Sequence, residues 1–563
     1  MPLRTVCWLL LAVVAGATIG FRIALPGTDP AAVSAASPSR DRAPLLTFAP
    51  PSGRRVVPAG LNTGRASTPG LRPLSGMEAG SAAANASSAM GDGDSVAFNA
   101  PYSRALTFLA LPDESAPPTT TSSDEPTTTT STPPAAPSGP PPEIENVRTL
   151  SIEPYSATLS WSTSEPATSR IAYGLDNPAI WTPPSVASTQ HEATVTGLSA
   201  SSSYVLVVTA TTDDGRSALS EFLLTTPGRS GLERMSTRDG TILVDGQPAF
   251  PKIVWGQCPD AVGGNLAVGI DLFMGNECGS GAQLAGWLGG TAFVLADARD
   301  SAADRAGTVG THLPDEWDTH LPGDLTAAQA QRLAPSAPGS GPRFLTLTNH
   351  FYSRADPLPQ GRGMYPALAA TADVLGFDLY PLQNWCRWDS FGDVFDSQVD
   401  LVALARGKPT FQWIEARRMD CLGEQLDPTP ETVRAETWLA IAGGAHAIGY
   451  FPNNWSPDVG AEIARTNHEI QGLVPALVEP NIAASVSLGS FVKVGAREHN
   501  GAVYVIAVNA SRAPTTATIT APALGDRVLM SLDGQHRVTA AGGSFTEAFG
   551  PLEVRVYVAA PAA

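Results

Sequence analysis

The sequence predicts a multidomain chain in which a small all-β module is followed by a parallel α/β barrel and then by a second, antiparallel β-domain. Three observations predict this order: short alternating strands between about 143 and 227, apolar runs that alternate with helical patterns between 229 and 480, and short alternating strands again between 481 and 563. The 563 residues, 43% of them hydrophobic, suffice for three or four domains of roughly 100–200 residues each.

The first 25 residues predict export. Arg4 precedes an uncharged apolar run over 5–20, and Arg22 follows that run. Such a segment is either a cleaved signal peptide or a retained membrane anchor, and the run is short for a membrane-spanning helix. We therefore expect a secreted or cell-surface protein that contacts a membrane only if this segment is retained.

A low-complexity region separates this segment from the first folded module. Residues 26–113 are rich in Ala, Ser, Gly and Pro without a sustained period, which predicts a disordered stalk. Residues 114–142 form a Ser/Thr/Pro linker, whose prolines favour an extended backbone. We expect this linker to hold the following domains away from a cell wall or membrane.

The charge balance restricts the partners of the chain. A net charge of −18 and a pI of about 4.8 argue against nucleic acid or anionic lipid as the main partner and are compatible with carbohydrate. No set of His, Cys, Asp and Glu shows the spacing of metal ligands. We therefore expect no metal and no cofactor.

The segment 143–227 has the pattern of a small β-sandwich. Its strands alternate polar and apolar residues, one of them ends on Trp161, and Gly197-Leu198 shortly precedes Tyr204. These residues resemble the core tryptophan and the tyrosine corner of fibronectin type III domains, and the resemblance implies that both aromatic residues are structural. We expect the module to be a spacer without a polar site, so that a chain starting near Arg229 folds alone.

Eight strand candidates alternate with helical stretches between 229 and 480, which predicts a (β/α)₈ barrel. The first connection is short, so its helix is expected to shrink to a turn, and the third helix is also expected to be short. The predicted strands are 250–257, 268–276, 291–297, 310–316, 343–349, 374–380, 409–416 and 445–451, and helices are predicted at 325–333, 364–372, 394–405, 431–442 and 458–478.

Polar and aromatic residues cluster where the predicted strands end, at the rim that carries the working residues of such barrels. Glu316 after strand four and Glu415 after strand seven stand out, because hydrolysis of a glycosidic bond needs two opposed carboxyl groups. Amides and carboxylates bind sugar hydroxyls, and aromatic faces stack on sugar rings. The candidate substrate-binding residues are Asp315, Trp317, Asn349, Tyr352, Asp378, Tyr380, Trp413 and Trp455.

With this arrangement the barrel resembles the large clan of retaining (β/α)₈ glycoside hydrolases. The resemblance implies that Glu316 is the acid/base, that Glu415 is the nucleophile, and that the substrate is a polysaccharide or glycoconjugate. It also implies that Trp455 stacks on the sugar and that Tyr380 lies near the nucleophile. The clan usually has Asn before its acid/base, where this chain has Asp315. One alternative function is a non-catalytic surface protein whose degenerate barrel binds a glycan or a protein, and another is a barrel hydrolase that uses other carboxylates.

Each of these carboxylates also has a structural alternative. Glu316 could pair with an arginine or cap a helix. Glu415 could form a salt bridge with Arg417 or Arg418, and Asp378 is expected to orient a neighbouring residue.

Four cysteines follow the export segment, and in an exported chain an even number predicts disulfides. Cys258 and Cys278 come after strands one and two, whereas Cys386 and Cys421 come after strands six and seven. We predict the pairs Cys258–Cys278 and Cys386–Cys421, which would brace neighbouring loops at the rim.

Residues 481–563 alternate again as short strands, and Asn500-Gly501 is a hairpin-turn pattern. The segment 500–509 and the closing run 552–557 resemble the small antiparallel β-domain that follows the barrel in many glycoside hydrolases, which implies that this β-sandwich packs on the barrel. The predicted strands are 491–494, 503–509, 515–520, 527–530 and 554–558.

Overall fold

The computed structural model describes residues 72–73 and 139–562, except 338, 340 and 420–425. The predicted signal or anchor segment lies outside the described residues, and so do nearly all of the predicted stalk and linker. The exceptions are residues 139–142 of the linker and the two-residue strand Arg72–Pro73, which pairs antiparallel with Leu223 and Phe222 at the edge of the first sheet. None of the helices in the described part of the chain is long and apolar enough to cross a membrane.

The first described module is a β-sandwich. Trp161 lies in its core, donates from Nε1 to Ser169 Oγ at 2.9 Å, and stacks on His191. The backbone N–H of Ser199 donates to the hydroxyl oxygen of Tyr204 at 2.7 Å, which is the tyrosine corner that the sequence predicts. The strands are Ile144–Ile152, Ser156–Gly174, Ile180–Trp181, Ser188–Thr196, Ser203–Thr211 and Ser217–Thr225.

This sandwich packs on the rest of the molecule instead of acting as a free spacer. The buried hydroxyl of Tyr504, in the C-terminal region, donates to the Ala179 carbonyl at 2.7 Å. Gly197 lies so close to Pro475 that an added Cβ would stand 2.7 Å from the proline ring. These contacts contradict the expected spacer, because a chain cut near Arg229 would expose surfaces that the sandwich now covers.

Eight parallel strands form a closed barrel, in which the eighth strand pairs with the first and Gly449 lies opposite Ile253. A three-stranded antiparallel sheet leads into it, with strands Met235–Arg238, Thr241–Val244 and Gln247–Ala249. The barrel strands are β1 (Lys252–Gln257), β2 (Leu272–Asn276), β3 (Phe293–Asp297), β4 (Gly310–His312), β5 (Arg343–Thr348), β6 (Val374–Asp378), β7 (Thr410–Glu415) and β8 (Ala447–Phe451).

Helices follow most of the barrel strands. The helix after β1 has nine residues and is not reduced to a turn, because β2 begins at Leu272, later than predicted. Between β3 and β4 the described residues 298–309 contain turns and no helix, so the short helix expected there is absent. The helices are α1 (Pro259–Ala267), α2 (Gly281–Leu288), α3 (Ala327–Leu333), α4 (Tyr365–Ala369), α5 (Phe391–Ala405), α6 (Pro430–Ala442), α7 (Pro457–Gly472) and α8 (Val474–Leu477).

Aromatic side chains fill the barrel interior, and glycines on neighbouring strands make room for them. A Cβ on Gly376 would stand 2.1 Å from the ring of Phe411, and one on Gly449 would stand 2.3 Å from the ring of Trp413. Because these rings pack the interior at native density, the barrel is a core and not a pore. Functional groups are therefore expected at its upper rim, where the strands end.

The disulfide between Cys258 and Cys278 is confirmed, and their Cα atoms are 5.1 Å apart. It joins the loops that follow β1 and β2, as the sequence predicts. Cys421 lies outside the described residues, so its pairing with Cys386 stays a prediction.

The C-terminal region forms two antiparallel sheets. The Asn500-Gly501 turn is confirmed, since His499 pairs with Ala502 and the turn residues have φ values of 49° and 81°, which Asn and Gly tolerate. The buried guanidinium of Arg497 donates to the Ile441 carbonyl at 2.6 Å, so the region packs on α6. The strands are Ser485–Val486, Val492–His499, Ala502–Asn509, Thr515–Thr520, Val528–Ser531, Arg537–Thr539, Ser544–Phe549 and Val554–Ala559, of which the first, sixth and seventh are not predicted.

Candidate functional site

Two acidic residues follow β4 at the barrel mouth. The strand ends at His312, earlier than predicted, so Asp315 and Glu316 lie on the turn that leads into the 3₁₀ helix Trp317–His320. Glu316 has a φ of 45°, a left-handed conformation that residues other than glycine rarely adopt. Such conformations persist only where the surroundings impose them, and they are frequent at functional sites.

The carboxyl groups of Glu316 and Asp378, the last residue of β6, form a hydrogen bond with each other. Two ionised carboxylates have no donor between them, so this contact requires a shared proton. Burial, followed by the negative charge of Asp378, raises the pKa of Glu316 well above its usual range, and burial raises the pKa of Asp378 to about 7. Both side chains keep partial access to solvent. A pair of carboxyl groups that holds a proton therefore faces the mouth.

Asp315 and Tyr380 complete this acidic group. Asp315 is exposed to solvent although protein surrounds it on most sides, as expected for a residue in a cleft. Burial and repulsion by Glu316 raise the pKa of Asp315 to about 8. Burial, followed by the charges of Asp378, Asp315, Glu316 and Glu415, raises the pKa of Tyr380 well above its usual range. We call Asp315, Glu316, Asp378 and Tyr380 the mouth cluster.

Asp318, which the sequence analysis did not single out, holds the turn of Glu316 in place. Its buried carboxylate accepts hydrogen bonds from the backbone N–H of Thr348 at 3.1 Å, from the hydroxyl of Thr348, and from the hydroxyl of Tyr365 at 3.0 Å. These bonds tie β5 and α4 to the turn. The only sign in the sequence was a third acidic residue in the run around Glu316.

Glu415, at the end of β7, lies outside the mouth cluster. Its side chain has no exposed surface, and its Oε1 and Oε2 accept hydrogen bonds from the backbone N–H groups of Leu382 and Gln383, each at 2.8 Å. Burial raises the pKa of Glu415 to about 7, whereas these two amides and a hydrogen bond with Glu436 act in the opposite direction. In this arrangement the side chain of Glu415 presents no surface to a substrate, although its charge is close enough to Tyr380 to raise the pKa of that residue. The role of Glu415 as the nucleophile stays a prediction.

The structural alternative for Glu415, a salt bridge with Arg417 or Arg418, is not formed among the described residues. Arg417 donates to the side-chain oxygen of Asn454 at 2.7 Å, and a guanidinium nitrogen of Arg418 lies 3.6 Å from Asp427. The carboxylate of Glu415 is instead satisfied by backbone amides of the neighbouring loop.

Four predicted substrate-binding residues are buried in structural contacts. Trp413 lies in the barrel interior, 3% exposed, and the hydroxyl of Tyr352 donates to Asp393 at 2.7 Å. Trp317 is 8% exposed and packs in the core, and Asn349 is 3% exposed at the start of a 3₁₀ helix. Burial at this level leaves these side chains little surface with which to bind a sugar.

Trp455 follows β8 and is half-buried against the outer layer. Its ring lies 6.3 Å from that of Tyr450, whose hydroxyl donates to Asn467 on α7 at 2.9 Å. A Cβ on Gly460, also on α7, would stand 2.8 Å from the indole. The structure therefore places Trp455 beside α7 and not within the mouth cluster.

A second group at the top of the barrel was missed by the sequence analysis. The partly exposed ring of Trp255 lies 5.0 Å from that of His312, edge to face. Asp297 forms an ion pair with Arg299, and its charge opposes the burial that lowers the pKa of His312. The missed signal was positional, because Trp255, Asp297 and His312 each lie among the last three residues of a strand.

No group of three or more His, Cys, Asp or Glu among the described residues could hold a metal ion. Two cavities lie away from the mouth cluster. One, of about 670 Å³, is lined by Arg170 and Arg527 between the sandwich and the C-terminal region, and the other, of about 940 Å³, is lined by Arg229 and Phe293 near the start of β3.

Residues 140–226 match the family model of the fibronectin type III domain, which identifies the β-sandwich as such a domain. No curated protein matches the sequence.

The chain also has weak structural matches among solved glycoside hydrolases. A GH30 endoxylanase from Clostridium papyrosolvens C71 is 13% identical, with 58% of this chain and 98% of that chain covered and a TM-score of 0.30. A GH27 β-L-arabinopyranosidase from Geobacillus stearothermophilus is 12% identical, with 53% and 62% covered and a TM-score of 0.30. An α-amylase from Anoxybacillus is 11% identical, with 54% and 90% covered and a TM-score of 0.34. At these identities and TM-scores the matches assign no reaction to this chain.

Proposed function

We propose that this chain is an exported glycosidase that hydrolyses a glycosidic bond of a polysaccharide or glycoconjugate at the barrel mouth. The observation that carries the proposal is the partly accessible Glu316–Asp378 pair, whose carboxyl groups contact each other at the barrel mouth. Cleavage of a glycosidic bond needs such a group, because the leaving oxygen must be protonated.

Glu316 is the general acid in this proposal. Burial and the charge of Asp378 raise the pKa of Glu316 well above its usual range, so Glu316 is our candidate for the protonated member of the pair and Asp378 for the acceptor. Once Glu316 has given its proton to the leaving oxygen, two adjacent carboxylates repel each other. Glu316 is therefore ready to take a proton from the incoming water, as an acid/base must in a second step.

Asp315 is our candidate for the carboxylate that attacks the sugar, in place of Glu415. It is the exposed carboxyl group of the mouth cluster, whereas Glu415 has no exposed surface. In the retaining reaction that we propose, Asp315 forms a covalent ester with the sugar and water activated by Glu316 hydrolyses it. Because the pKa of Asp315 is raised to about 8, its attack should become faster as the pH rises toward that value.

The groups beside the mouth cluster suit a carbohydrate. Trp255 presents part of its ring to solvent, and the ion pair of Asp297 with Arg299 offers polar atoms. Sugar rings stack on aromatic faces, and sugar hydroxyls bind polar groups of this kind. The proposed reaction uses no cofactor.

Export is part of the same proposal. The Cys258–Cys278 disulfide fits an oxidising compartment, and the N-terminal sequence has the pattern of an export segment. A secreted or cell-surface location would also bring the barrel to extracellular glycans.

The test begins with a panel of aryl glycosides and glycans, from which a substrate of the wild type is chosen. Glu316→Ala should lose most activity on substrates with poor leaving groups, whereas aryl glycosides whose leaving group needs no proton should still form the covalent intermediate. Azide should then restore turnover by attacking that intermediate. Glu431→Gln, exposed on α6, is the control. Equal losses on good and poor leaving groups would contradict the acid role.

A barrel that binds glycan without cleaving it is the second candidate, and the burial of Glu415 favours it, because the carboxylate after β7 is unavailable for chemistry. This function predicts retention of a glycan without turnover. If the wild type cleaves nothing in the panel but binds a glycan, and Trp255→Ala or Trp455→Ala abolishes that binding, the second function replaces the first.

A further inference from the structure

We infer that Glu415, Glu436 and Gln383 form a buried brace that fixes the loop after β6 and thereby positions Asp378 and Tyr380 toward Glu316. The positioning role rests on the proposed function of the mouth cluster. The three side chains come from β7, α6 and the loop after β6, and none has exposed surface.

The brace acts first on the backbone of the loop. Glu415 accepts the N–H of Leu382 at Oε1 and the N–H of Gln383 at Oε2, each at 2.8 Å. A carboxylate that accepts hydrogen bonds from two consecutive backbone N–H groups fixes the orientation of the loop backbone as well as its distance from β7. Leu382 and Gln383 follow Asp378 closely, so Asp378 and Tyr380 are held between the strand pairing of β6 and the two anchored amides.

Glu436 adds a third bond to the carboxylate of Glu415. The two carboxyl groups are in hydrogen-bonding contact, and neither oxygen of Glu436 accepts a bond of ordinary geometry among the described residues. Burial and repulsion by Glu415 raise the pKa of Glu436 well above its usual range. A proton on Glu436 turns one of its oxygens into a donor, so Glu415 accepts bonds from two amides and one carboxylic acid.

Gln383 extends the brace to the loop after β7. Its Oε1 accepts the N–H of Met419 at 2.9 Å, and its Nε2 donates to the carbonyl of Leu426. The loops after β6 and β7 are thus joined through one buried amide. Because each polar atom of Glu415 is occupied by a donor, the side chain is suited to positioning and not to attack on a substrate.

The first test needs no substrate. In Glu415→Gln the side-chain NH₂ must face one of the two backbone N–H groups, so one anchor bond is lost, whereas Glu436→Gln keeps a donor toward Glu415. We expect hydrogen exchange at Leu382 and Gln383 in the full chain, followed by mass spectrometry, to be at least about tenfold faster in Glu415→Gln. Glu436→Gln and the exposed control Glu431→Gln should stay within about twofold of the wild type.

A second variant covers the case in which Glu415→Gln does not fold. Glu436→Leu removes the donor and leaves Glu415 in place, so exchange at Leu382 and Gln383 should be faster than in Glu436→Gln. Unchanged exchange in both Glu415→Gln and Glu436→Leu would overturn the brace, whether or not the protein is an enzyme.

The positioning role is tested on the substrate found for the wild type. Glu415→Gln should lower kcat about 10- to 100-fold with little change in KM, since a displacement of about 1 Å of a catalytic group costs about 10²-fold. Azide should not restore activity to Glu415→Ala, because the proposed nucleophile Asp315 is still in place and no attacking group is missing for azide to replace. Rescue by azide that gives a glycosyl azide of inverted configuration would show that Glu415 is the nucleophile and would overturn the positioning role. If the wild type cleaves no substrate, the proposed function fails, and the exchange experiment still decides the brace.

Discussion

The barrel contains two pairs of carboxyl groups that contact each other and have raised pKa values, and the pairs differ in their access to solvent. Glu316 and Asp378 join the turn after β4 to the end of β6, and both are partly exposed. Glu415 and Glu436 join β7 to α6, and neither has exposed surface. Burial raises the pKa of all four. We therefore expect chemistry at the pair that solvent can reach and that backbone donors leave unoccupied. The residue type and the strand number do not distinguish the two pairs.

The backbone conformation also differs between Glu316 in the exposed pair and Glu415 in the buried pair. Glu316 has a left-handed conformation at the start of a 3₁₀ helix, held by the bonds of Asp318 to β5 and α4. Glu415 is the last residue of a regular strand and is held by amides of an adjacent loop. The contacts around Glu316 leave its carboxyl group partly exposed to solvent, whereas the contacts around Glu415 bury its carboxylate completely.

The largest expected difference between the pairs is in turnover. Glu316→Gln should lower kcat on substrates with poor leaving groups about 10²- to 10⁴-fold, which is the usual contribution of a general acid. Asp378→Asn should cost about 10²-fold, because Glu316 loses the carboxylate that holds its proton. Glu436→Gln should stay within about threefold of the wild type, since it keeps a donor to Glu415. Steady-state kinetics on one substrate measure kcat for the three variants. An equal decrease of kcat in all three would contradict the proposed difference between the two pairs.

The pH profile should separate the pairs next. The rate of the wild type should rise as the pH passes through about 7 to about 8, where Asp378 and Asp315 ionise, and should fall at higher pH as Glu316 loses its proton. In Asp378→Asn the charge that raises the pKa of Glu316 is gone, so the alkaline fall should move to lower pH. Profiles of kcat against pH measure this, with Glu436→Gln as the variant that should keep the wild-type profile. An alkaline fall that stays in place would show that Asp378 does not act on Glu316.

The buried pair should affect stability. Its raised pKa means that the folded chain keeps a proton which the unfolded chain releases above the ordinary value of 4.5. The stability that this proton contributes is complete below that pH and is lost as the pH rises through about 7 and beyond. One such proton changes the free energy of unfolding by about 1.4 kcal/mol per pH unit. The thermal midpoint should therefore fall less between about pH 5 and about pH 8 in Glu436→Gln than in the wild type, and an unchanged fall would mean that Glu436 holds no extra proton.

The smallest expected effect concerns Asp318, the support beneath the accessible pair. Asp318 is the weakest of the named causes that raise the pKa of Glu316. Asp318→Asn keeps the shape of the side chain, and the hydroxyl of Thr348 can accept a bond from the new NH₂ group. We expect a loss of turnover of only a few-fold and a smaller shift of the alkaline fall than in Asp378→Asn. A larger shift of the alkaline fall than in Asp378→Asn would mean that Asp318, and not Asp378, is the main charge that raises the pKa of Glu316.

Much of the fold could be predicted from the sequence, because the signals are local. The eight strands follow apolar runs, and the Asn500-Gly501 turn follows from residues that tolerate a positive φ. The start of β2 was misplaced because residues 268–271 extend the apolar run without joining the sheet. The docking of the fibronectin domain could not be predicted, because it depends on the Ala179 carbonyl and on the close approach of Gly197 to Pro475. Contacts of this kind leave no periodic pattern in a sequence.

The site could be predicted only in part, for a related reason. The mouth cluster follows from the rule that working residues lie where strands end, and Asp315, Glu316 and Asp378 obey it. Glu415 obeys the same rule and is nevertheless buried, where two backbone N–H groups of another loop donate to its carboxylate. Where the last residue of a strand directs its side chain depends on tertiary contacts, which a single sequence does not show.

The most direct test of the central claim is to identify the residue that becomes bonded to the sugar. A 2-fluoro derivative of the substrate with a reactive leaving group slows hydrolysis of the covalent intermediate, so the labelled peptide can be isolated and sequenced by mass spectrometry. We predict the label on Asp315 and none on Glu415. A label on Glu415 would contradict the account, because that carboxylate would have to leave its bonds to Leu382 and Gln383 to reach the sugar.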